Sequence, residues 1–117
     1  MMAQGAFKNA IKAFLKTLKL QPENYITSLN LGRAYKENGD FQAAFNAFSK
    51  VISMQPEFSE AHNDLGLTLY GQGKLETALK SYQKAVDLNP NYADAYNNMG
   101  VAQQELGAVT RAIESYQ

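Results

Sequence analysis

Cysteine is absent from this chain of 117 residues, and histidine occurs once, at His62. The absence of cysteine excludes disulfide bonds and thiolate metal sites. With only one histidine as well, the usual ligand sets of transition metals are excluded. No apolar run approaches the length of a membrane span, and the first residues lack the basic flank and apolar stretch of a signal peptide. Equal numbers of acidic and basic residues, 11 of each, produce no overall attraction to nucleic acid or an anionic membrane. We expect a cytoplasmic protein without metal or cofactor.

What the chain does contain is a lattice of proline and glycine. The three prolines and all but one of the glycines recur every 34 residues, as Pro22, Pro56 and Pro90, as Gly32, Gly66 and Gly100, and as Gly5, Gly39, Gly73 and Gly107. Only Gly71 lies outside these series. Because these residue types interrupt regular backbone, their common period indicates one supersecondary unit copied along the chain. Repeat arrays usually bind other molecules over an extended surface rather than catalyse reactions.

Apolar residues recur at helical spacing in two stretches of each repeat. A glycine separates the two stretches, as at a helix C-terminus, and a proline closes the second one. The pattern predicts an all-α fold, an α-solenoid of stacked antiparallel helix pairs with a 34-residue repeat and seven helices. We expect a partial repeat over 1–24 (turn and second helix only), repeats over 25–58 and 59–92, and a third repeat over 93–117, truncated in its second helix.

Small residues recur where the two helices of a repeat should cross. Gly32, Gly66 and Gly100 lie inside the predicted first helices, where each glycine costs roughly 1 kcal/mol relative to alanine. The second helices carry small and aromatic residues in register, namely Ala44, Ala78 and Ala112, then Phe48, Tyr82 and Tyr116. We expect the two backbones to approach closely at the glycine and alanine, with the aromatic side chains filling the space beyond.

This pattern resembles that of the tetratricopeptide repeat family over the whole chain. The residues that carry the resemblance are Tyr96, Leu31-Gly32, Leu65-Gly66, Met99-Gly100, Tyr35, the alanines and aromatics of the second helices, Ala85 and the three prolines. The resemblance implies a right-handed superhelix whose first helices line a concave groove that binds peptides. Ser28 and His62 replace the first aromatic of the family pattern, and for His62 we expect packing rather than catalysis.

The groove implied by the resemblance has its own charge balance. Stepping 100° per residue places the following residues on the side of each first helix away from its partner: Ile26, Asn30, Arg33 and Glu37, then Glu60, Asp64, Leu67 and Gly71, then Asp94, Asn98, Val101 and Glu105. Five acids face only Arg33 and the flanking Lys36, which favours neutral or basic ligands. The alternative is that these charges only solvate exposed helix faces.

Two resemblances bear on the kind of ligand. Asn30 and Asn98 are equivalent positions that resemble the asparagine ladder of the O-linked N-acetylglucosamine transferase array, although Asp64 interrupts them and asparagine at this position can also be without function. Other arrays of the family clamp acidic chaperone tails with basic residues and asparagines. Here Asp64 and Asp94 occupy two of the matching positions, so we do not expect that role.

The sequence therefore predicts a non-catalytic scaffold that binds an extended peptide or a partner helix, without affinity for nucleic acid or membrane. The residues expected to line the peptide-binding groove are Asn30, Arg33, Asp64, Leu67, Tyr70, Asp94, Asn98 and Val101. No serine or threonine has a base in register, so there is no candidate for a catalytic nucleophile. Two alternatives remain: a targeting array of a larger enzyme such as a glycosyltransferase, and a scaffold that self-associates end to end through uncapped array ends.

Overall fold

The computed structural model describes residues 4–115, and all of its regular structure is helical. The helices are α1 (Gln4–Leu20), α2 (Tyr25–Glu37), α3 (Phe41–Met54), α4 (Ser59–Gly71), α5 (Leu75–Leu88) and α6 (Ala93–Ser115). The helices α2 and α3 lie within 25–58, and α4 and α5 lie within 59–92. None of the described helices is both long and apolar enough to cross a membrane.

Two of the lattice glycines end helices in the left-handed conformation. The φ angle is 83° at Gly39 and 79° at Gly73, a region that side chains disfavour. After α2, the amide of Asp40 donates to the carbonyl oxygen of Tyr35 at 2.8 Å. After α4, the amide of Lys74 donates to the carbonyl oxygen of Leu69 at 2.9 Å. These bonds satisfy carbonyls that the helix end would otherwise leave unpaired.

The prolines lie in tight turns between one pair and the next. The amide of Phe58 donates to the carbonyl of Gln55 at 3.1 Å, and Tyr92 donates to Asn89 at the same distance. Pro56 and Pro90 occupy the second position of these turns, where the fixed φ of proline is suited to the geometry. After the turn preceding α2, Asn24 caps the helix, because its side chain accepts from the amide of Thr27 at 3.1 Å.

The helices stack in chain order into a body of 55 × 32 × 22 Å. Each helix packs on the next one, and in addition α2 contacts α4 and α4 contacts α6. Over residues 4–115, the helices α1, α3 and α5 have no such contacts among themselves. The helices α2, α4 and α6 therefore form the closely packed layer, and any surface that runs along the array on this side is built from them.

Aromatic rings of the second helices, rather than their alanines, press against the glycines of the first helices. A Cβ added at Gly32 would meet the ring of Phe48 at 2.6 Å, and one at Gly66 would meet the ring of Tyr82. Both rings are fully buried, Phe48 at 0% and Tyr82 at 1% exposure. The expectation of a steric reason is supported at Gly32 and Gly66, where the nearest atoms belong to the aromatic ring rather than to Ala44 or Ala78. Gly71 has a similar reason, because a Cβ there would meet the ring of Phe41.

The predicted seventh helix is wrong for the described residues. Gly107 lies inside α6, which continues to Ser115, and Gly5 likewise lies inside α1 rather than in a turn. Residues 108–115 continue α6 and all of them are exposed, so Val109 and Ile113 lie outside the core. Leu106 and Ala108 also replace the residues Asn38 and Asp40 that flank the turn at Gly39. Tyr116 lies outside the described residues.

Two glycine substitutions should have opposite effects on stability. We expect Gly39→Ala to lower the free energy of unfolding by about 1 kcal/mol, because alanine is strained at positive φ. We expect Gly107→Ala to raise it by about 0.5–1 kcal/mol, because alanine is the better helix former and a Cβ there meets no atom of the described residues within 4 Å. Urea unfolding of both variants measures the difference. A loss of stability in Gly107→Ala would contradict a continuous α6.

Candidate functional site

A pocket of about 390 Å³ opens on the closely packed layer between α4 and α6, with α2 at its border. Five of the eight residues predicted for the groove line it, namely Arg33, Asp64, Leu67, Asp94 and Asn98. A smaller pocket of about 90 Å³ adjoins it, sharing Leu67 and Asn98 and adding Tyr70, Val101 and Tyr82. The two pockets bring together side chains from three helices that are distant in sequence. Together they form a depression with a polar end and an apolar end.

Asn30 is the predicted groove residue that lies apart from the others. It is half-buried on α2 and lines neither pocket, since both are centred between α4 and α6. The register places Asn30, Asp64 and Asn98 at equivalent positions, but it does not place them in one depression. Of these three residues, Asp64 and Asn98 line the larger pocket and Asn30 does not.

The polar end of the depression is organised by an ion pair between α2 and α4. Arg33 Nε donates to Asp64 Oδ2 at 2.8 Å, and its guanidinium also contacts Glu60 Oε2 at 3.3 Å. Lys36 Nζ lies 3.9 Å from Asp64 Oδ1 and 3.9 Å from Glu37 Oε1. The side chain of Asp64 is only 8% exposed, whereas those of Arg33 and Glu60 are 40% and 53% exposed. Asp64 is thus a buried anion whose charge is balanced from α2.

Burial and pairing act on Asp64 in opposite directions. Removal from water raises the pKa of its carboxyl group, while the hydrogen bond and charge of Arg33 and the charge of Lys36 lower it, and the net pKa is above its ordinary value. The carboxylate accepts from a guanidinium at close range and is poorly accessible to solvent. We conclude that Asp64 positions Arg33 within the depression more than it offers a free acceptor to a ligand.

Amide side chains form a second polar group, which the sequence did not reveal. Asn98 Nδ2 donates to Asn63 Oδ1 at 3.0 Å, and Asn63 Nδ2 donates to the hydroxyl of Tyr92 at 3.4 Å. Asn63, Tyr92 and Asn97 line the larger pocket, and none of them was among the predicted residues. The recurrence of asparagine at 63 and 97 was the available signal, whereas Tyr92 lies in a loop to which helical periodicity does not apply.

At the apolar end, Tyr70 links α4 to α6 by donating its hydroxyl proton to Glu105 Oε1. This hydrogen bond raises the pKa of Tyr70, because the carboxylate favours the protonated phenol.

Asp94 differs from the other acids of the groove. It is exposed, and within the described residues it makes no ion pair. Of the acids in the depression, Asp94 is the one most available to a ligand.

His62 is buried on α4, at the position where the repeat pattern of the family has an aromatic residue. It is 8% exposed, and its Nε2 donates to the carbonyl oxygen of Pro56 at 2.8 Å, which ties α4 to the turn before it. In the part of the chain that the structure describes, no group of three or more histidine and acidic side chains is arranged to hold a metal ion.

Comparison with known proteins identifies the family. A model of the TPR repeat matches residues 32–73 and 66–107, so this chain belongs to the tetratricopeptide repeat family, as its sequence pattern predicted. No curated protein sequence matches the chain significantly.

Three solved structures are similar to this chain. MamA 41-end from Desulfovibrio magneticus RS-1 is 27% identical, with a TM-score of 0.83, over 96% of this chain and 63% of that one. The first TPR of Spaghetti (RPAP3), bound to the HSP90 peptide SRMEEVD, is 26% identical, with a TM-score of 0.84, over 89% and 82%. A mutant of Thermobaculum terrenum O-GlcNAc transferase is 25% identical, with a TM-score of 0.79, over 85% and 19%. The chain thus spans less than two thirds of the MamA chain and about a fifth of the transferase.

Proposed function

We propose that this chain is a non-catalytic protein-interaction module that binds an extended peptide or a partner helix in the depression between α4 and α6. The observation that carries the proposal is the pocket of about 390 Å³, whose lining comes from α2, α4 and α6 and includes both charged and amide side chains. A concave site with a few convergent polar groups beside apolar ones is typical of peptide and ligand sites.

The charges of this site favour a neutral or basic ligand. The guanidinium of Arg33 is already engaged by Asp64 and Glu60, so it adds little attraction for an anion. Asp94 is exposed at the rim of the pocket and has no cationic partner among the described residues. A lysine or arginine of a ligand would find a carboxylate there, whereas an acidic side chain would be repelled.

The amide groups suit contact with a peptide backbone. Asn98 uses one donor on Asn63 and retains a second N–H and its carbonyl oxygen. Backbone contacts of this kind tolerate many sequences, and Leu67, Tyr70 and Val101 would supply an apolar floor for one or two side chains. Asn30, which lies on α2 outside the depression, would contact only a ligand that extends past the pocket.

The likeness to the first TPR of Spaghetti supports a peptide as the class of ligand, because that domain is bound to the peptide SRMEEVD. The charges of this chain argue against the same acidic sequence. Two glutamates and an aspartate of such a peptide would approach Asp94, and like charges in a groove oppose binding. We therefore propose a peptide partner of different charge.

The array itself would follow the unit that the sequence predicts. We propose that the helix pairs form a right-handed superhelix with a 34-residue repeat, with units over 25–58 and 59–92 flanked by partial units over 1–24 and 93–117. The depression would then be one segment of a longer concave surface along α2, α4 and α6.

The charge preference can be tested with two matched peptides. We expect SRMEEVD to bind this chain at least tenfold more weakly than the same peptide with lysine at both glutamate positions, for which a Kd in the micromolar range, about 8 kcal/mol, would be ordinary. Isothermal titration calorimetry measures both. Asp94→Asn should reduce the difference between the two peptides, and Asn98→Ala should weaken both by about tenfold through the lost backbone contact.

The control is Lys84→Ala, on an exposed position of α5 outside the depression, which should leave both affinities unchanged. Equal affinities for the two peptides would contradict the charge preference. Chemical shift changes confined to α1 and α3 on adding the basic peptide would contradict the site itself.

A second candidate function is a substrate-targeting array within a larger enzyme. The likeness to the Thermobaculum terrenum O-GlcNAc transferase, which covers 85% of this chain but only 19% of the transferase, favours it. A glycosyltransferase assay on the full-length product of the gene tests this idea. Deletion of residues 1–117 should then abolish sugar transfer to protein acceptors but retain sugar transfer to a minimal acceptor peptide. This result would support the second function.

A further inference from the structure

A separate pocket of about 380 Å³ lies between α1 and α3, with α2 as its floor. The residues that α2 turns towards it lie roughly 140–160° around that helix from Arg33, so this pocket is on the other side of α2 from the depression. It shares no residue with the depression. Its apolar lining comes from all three helices, namely Leu15, Leu18, Leu31, Tyr35, Ala43 and Ala47.

The floor of this pocket contains a buried hydroxyl group without a partner. Ser28 lines the pocket at the position where the family pattern has its first aromatic residue, and it is 1% exposed. Among the described residues, its Oγ has no hydrogen-bond partner. At the equivalent position of α4, the larger His62 bonds to the carbonyl oxygen of Pro56. A buried polar group without a partner is uncommon and costs stability, so the Ser28 hydroxyl marks a place where a polar atom of a ligand fits.

The walls of this pocket are more apolar than the repeat requires. Leu15, Ala43 and Ala47 line it, whereas the equivalent residues one repeat later are all polar: Ser49, Thr77 and Ser81. Leu15 is 46% exposed, although it stands at the mouth of the pocket. Polar side chains suffice for a groove that only water fills, so their replacement by apolar ones favours an occupant with an apolar body.

The charges at the mouth of this pocket are positive. Lys50 of α3 lines it directly, and Lys19 of α1 lies one turn after Leu15 on the same side of the helix. Every charged residue of α1 and α3 is a lysine. The acids of the adjacent turns, Glu23 and Asp40, do not line the pocket. The field at the mouth therefore attracts an anion, in contrast to the charge preference of the depression.

We infer that this pocket binds a tyrosine side chain that an acidic partner peptide projects into it. The ring fills the space between α1 and α3, its hydroxyl group bonds to Oγ of Ser28, and carboxylates on either side of the tyrosine face Lys19 and Lys50. A volume of about 380 Å³ is near the lower end of the roughly 300–1,000 Å³ of ligand sites, which suits one anchoring side chain rather than a large cofactor. The inference does not depend on the proposed function, because the two sites share no residue.

Four short blocked peptides test the chemistry of the ligand. In titrations followed by NMR, EEYEE should shift the amide signals of α1 and α3 saturably and leave those of α6 unchanged. KKYKK should bind this pocket at least tenfold more weakly, because its lysines face Lys19 and Lys50. EEFEE should bind about threefold to tenfold more weakly than EEYEE, because it leaves the Ser28 hydroxyl without a partner. EEAEE, which has no ring, should bind at least tenfold more weakly.

Two variants test the position of the site. Ser28→His places in the pocket the side chain that α4 has at its equivalent position, so the melting temperature should be kept and the affinity for EEYEE should fall at least tenfold. Lys50→Glu should lower this affinity about tenfold by reversing a charge at the mouth. The matched control is Lys84→Glu, which makes the same change at the equivalent exposed position of α5 and should leave the affinity unchanged.

The contrary outcomes are distinct from one another. Absence of saturable binding of EEYEE removes the inference, and binding of phosphatidylserine vesicles in its place would assign this face to a membrane surface. Equal affinities for EEAEE and EEYEE, or equal losses in Lys50→Glu and Lys84→Glu, would reduce the interaction to unspecific attraction between charges. Undiminished binding by Ser28→His, or a melting temperature several degrees below that of the parent, would mean that the ring does not enter this pocket. None of these results affects the proposed function, because both variants leave the depression intact.

Discussion

Gly66→Leu is expected to lower the free energy of unfolding by about 1–3 kcal/mol, by overpacking the contact between α4 and α5. Already the Cβ of the new residue would overlap the ring of Tyr82. That ring is 1% exposed and packs with Leu69, Ala78 and Ala102, so it cannot move aside without opening the core of two adjacent pairs. Thermal unfolding followed by circular dichroism should show a decrease of at least about 4 °C in the melting temperature.

The control for this prediction is Gly100→Leu, at the equivalent position of α6, measured in dilute solution. The same substitution there meets no described neighbour and replaces a poor helix former, so its melting temperature should equal or exceed that of the parent. An unchanged melting temperature in Gly66→Leu would show that the ring of Tyr82 is free to yield, and would refute the steric explanation of these glycines.

Arg33→Met is expected to lower the free energy of unfolding by about 1–3 kcal/mol at pH 7. The substitution keeps the aliphatic stem but leaves the carboxylate of Asp64, whose side chain is 8% exposed, without its hydrogen-bonded cation. Breaking a buried ion pair from one side commonly costs more than this. The smaller value applies because Arg33 is itself 40% exposed and Lys36 Nζ remains 3.9 Å from the carboxylate. Urea unfolding at constant ionic strength measures the change.

The pH dependence identifies the charge of Asp64 as the cause. Burial already raises the pKa of Asp64 above its ordinary value of 3.8, and loss of Arg33 removes the interaction that opposes this rise. An acid with a raised pKa in the folded state destabilises that state above this pKa, and the penalty disappears as the pH falls towards the pKa of the unfolded chain. The difference between parent and variant should therefore shrink from pH 7 to pH 4.

Two further variants serve as controls for the ion pair. Glu60→Gln removes the exposed partner of the same guanidinium, and its stability should stay within roughly 0.5 kcal/mol of the parent. Adding Asp64→Asn to Arg33→Met removes the uncompensated charge and should restore most of the lost stability. A loss in Arg33→Met that is independent of pH and is not restored by Asp64→Asn would assign the effect to packing.

The periodicity of the sequence was sufficient to predict the helix pairs, but it also predicted a turn at Gly107 that the structure does not have. The helices between Tyr25 and Leu88 begin and end where the glycine and proline series predict, because local backbone preferences and apolar spacing agree there. At Gly107 the same local signal failed. A glycine permits a turn but does not enforce one, and α6 continues through Gly107 to Ser115.

For the groove residues too, the sequence predicted the side of each helix, whereas contacts between helices decided which groups interact. Helical periodicity identified the side of α4 and α6 that carries Asp64, Leu67, Asp94, Asn98 and Val101, since the angle around a helix depends only on position in the sequence. Periodicity could not show that Arg33 neutralises Asp64 across two helices, because side-chain length and interhelical distance determine that contact. It could not find Tyr92 either, which reaches the pocket from a loop.

The sequence by itself determined the family and the all-helical fold, because these follow from local preferences repeated at a constant spacing. Only the tertiary structure decided which glycines are covered by rings, where α6 ends and which polar groups remain available in the depression. These features arise from contacts between helices. Equivalent positions such as Gly66 and Gly100 carry the same residue but differ in whether a described residue covers them, and the repeat pattern of a sequence does not contain that difference.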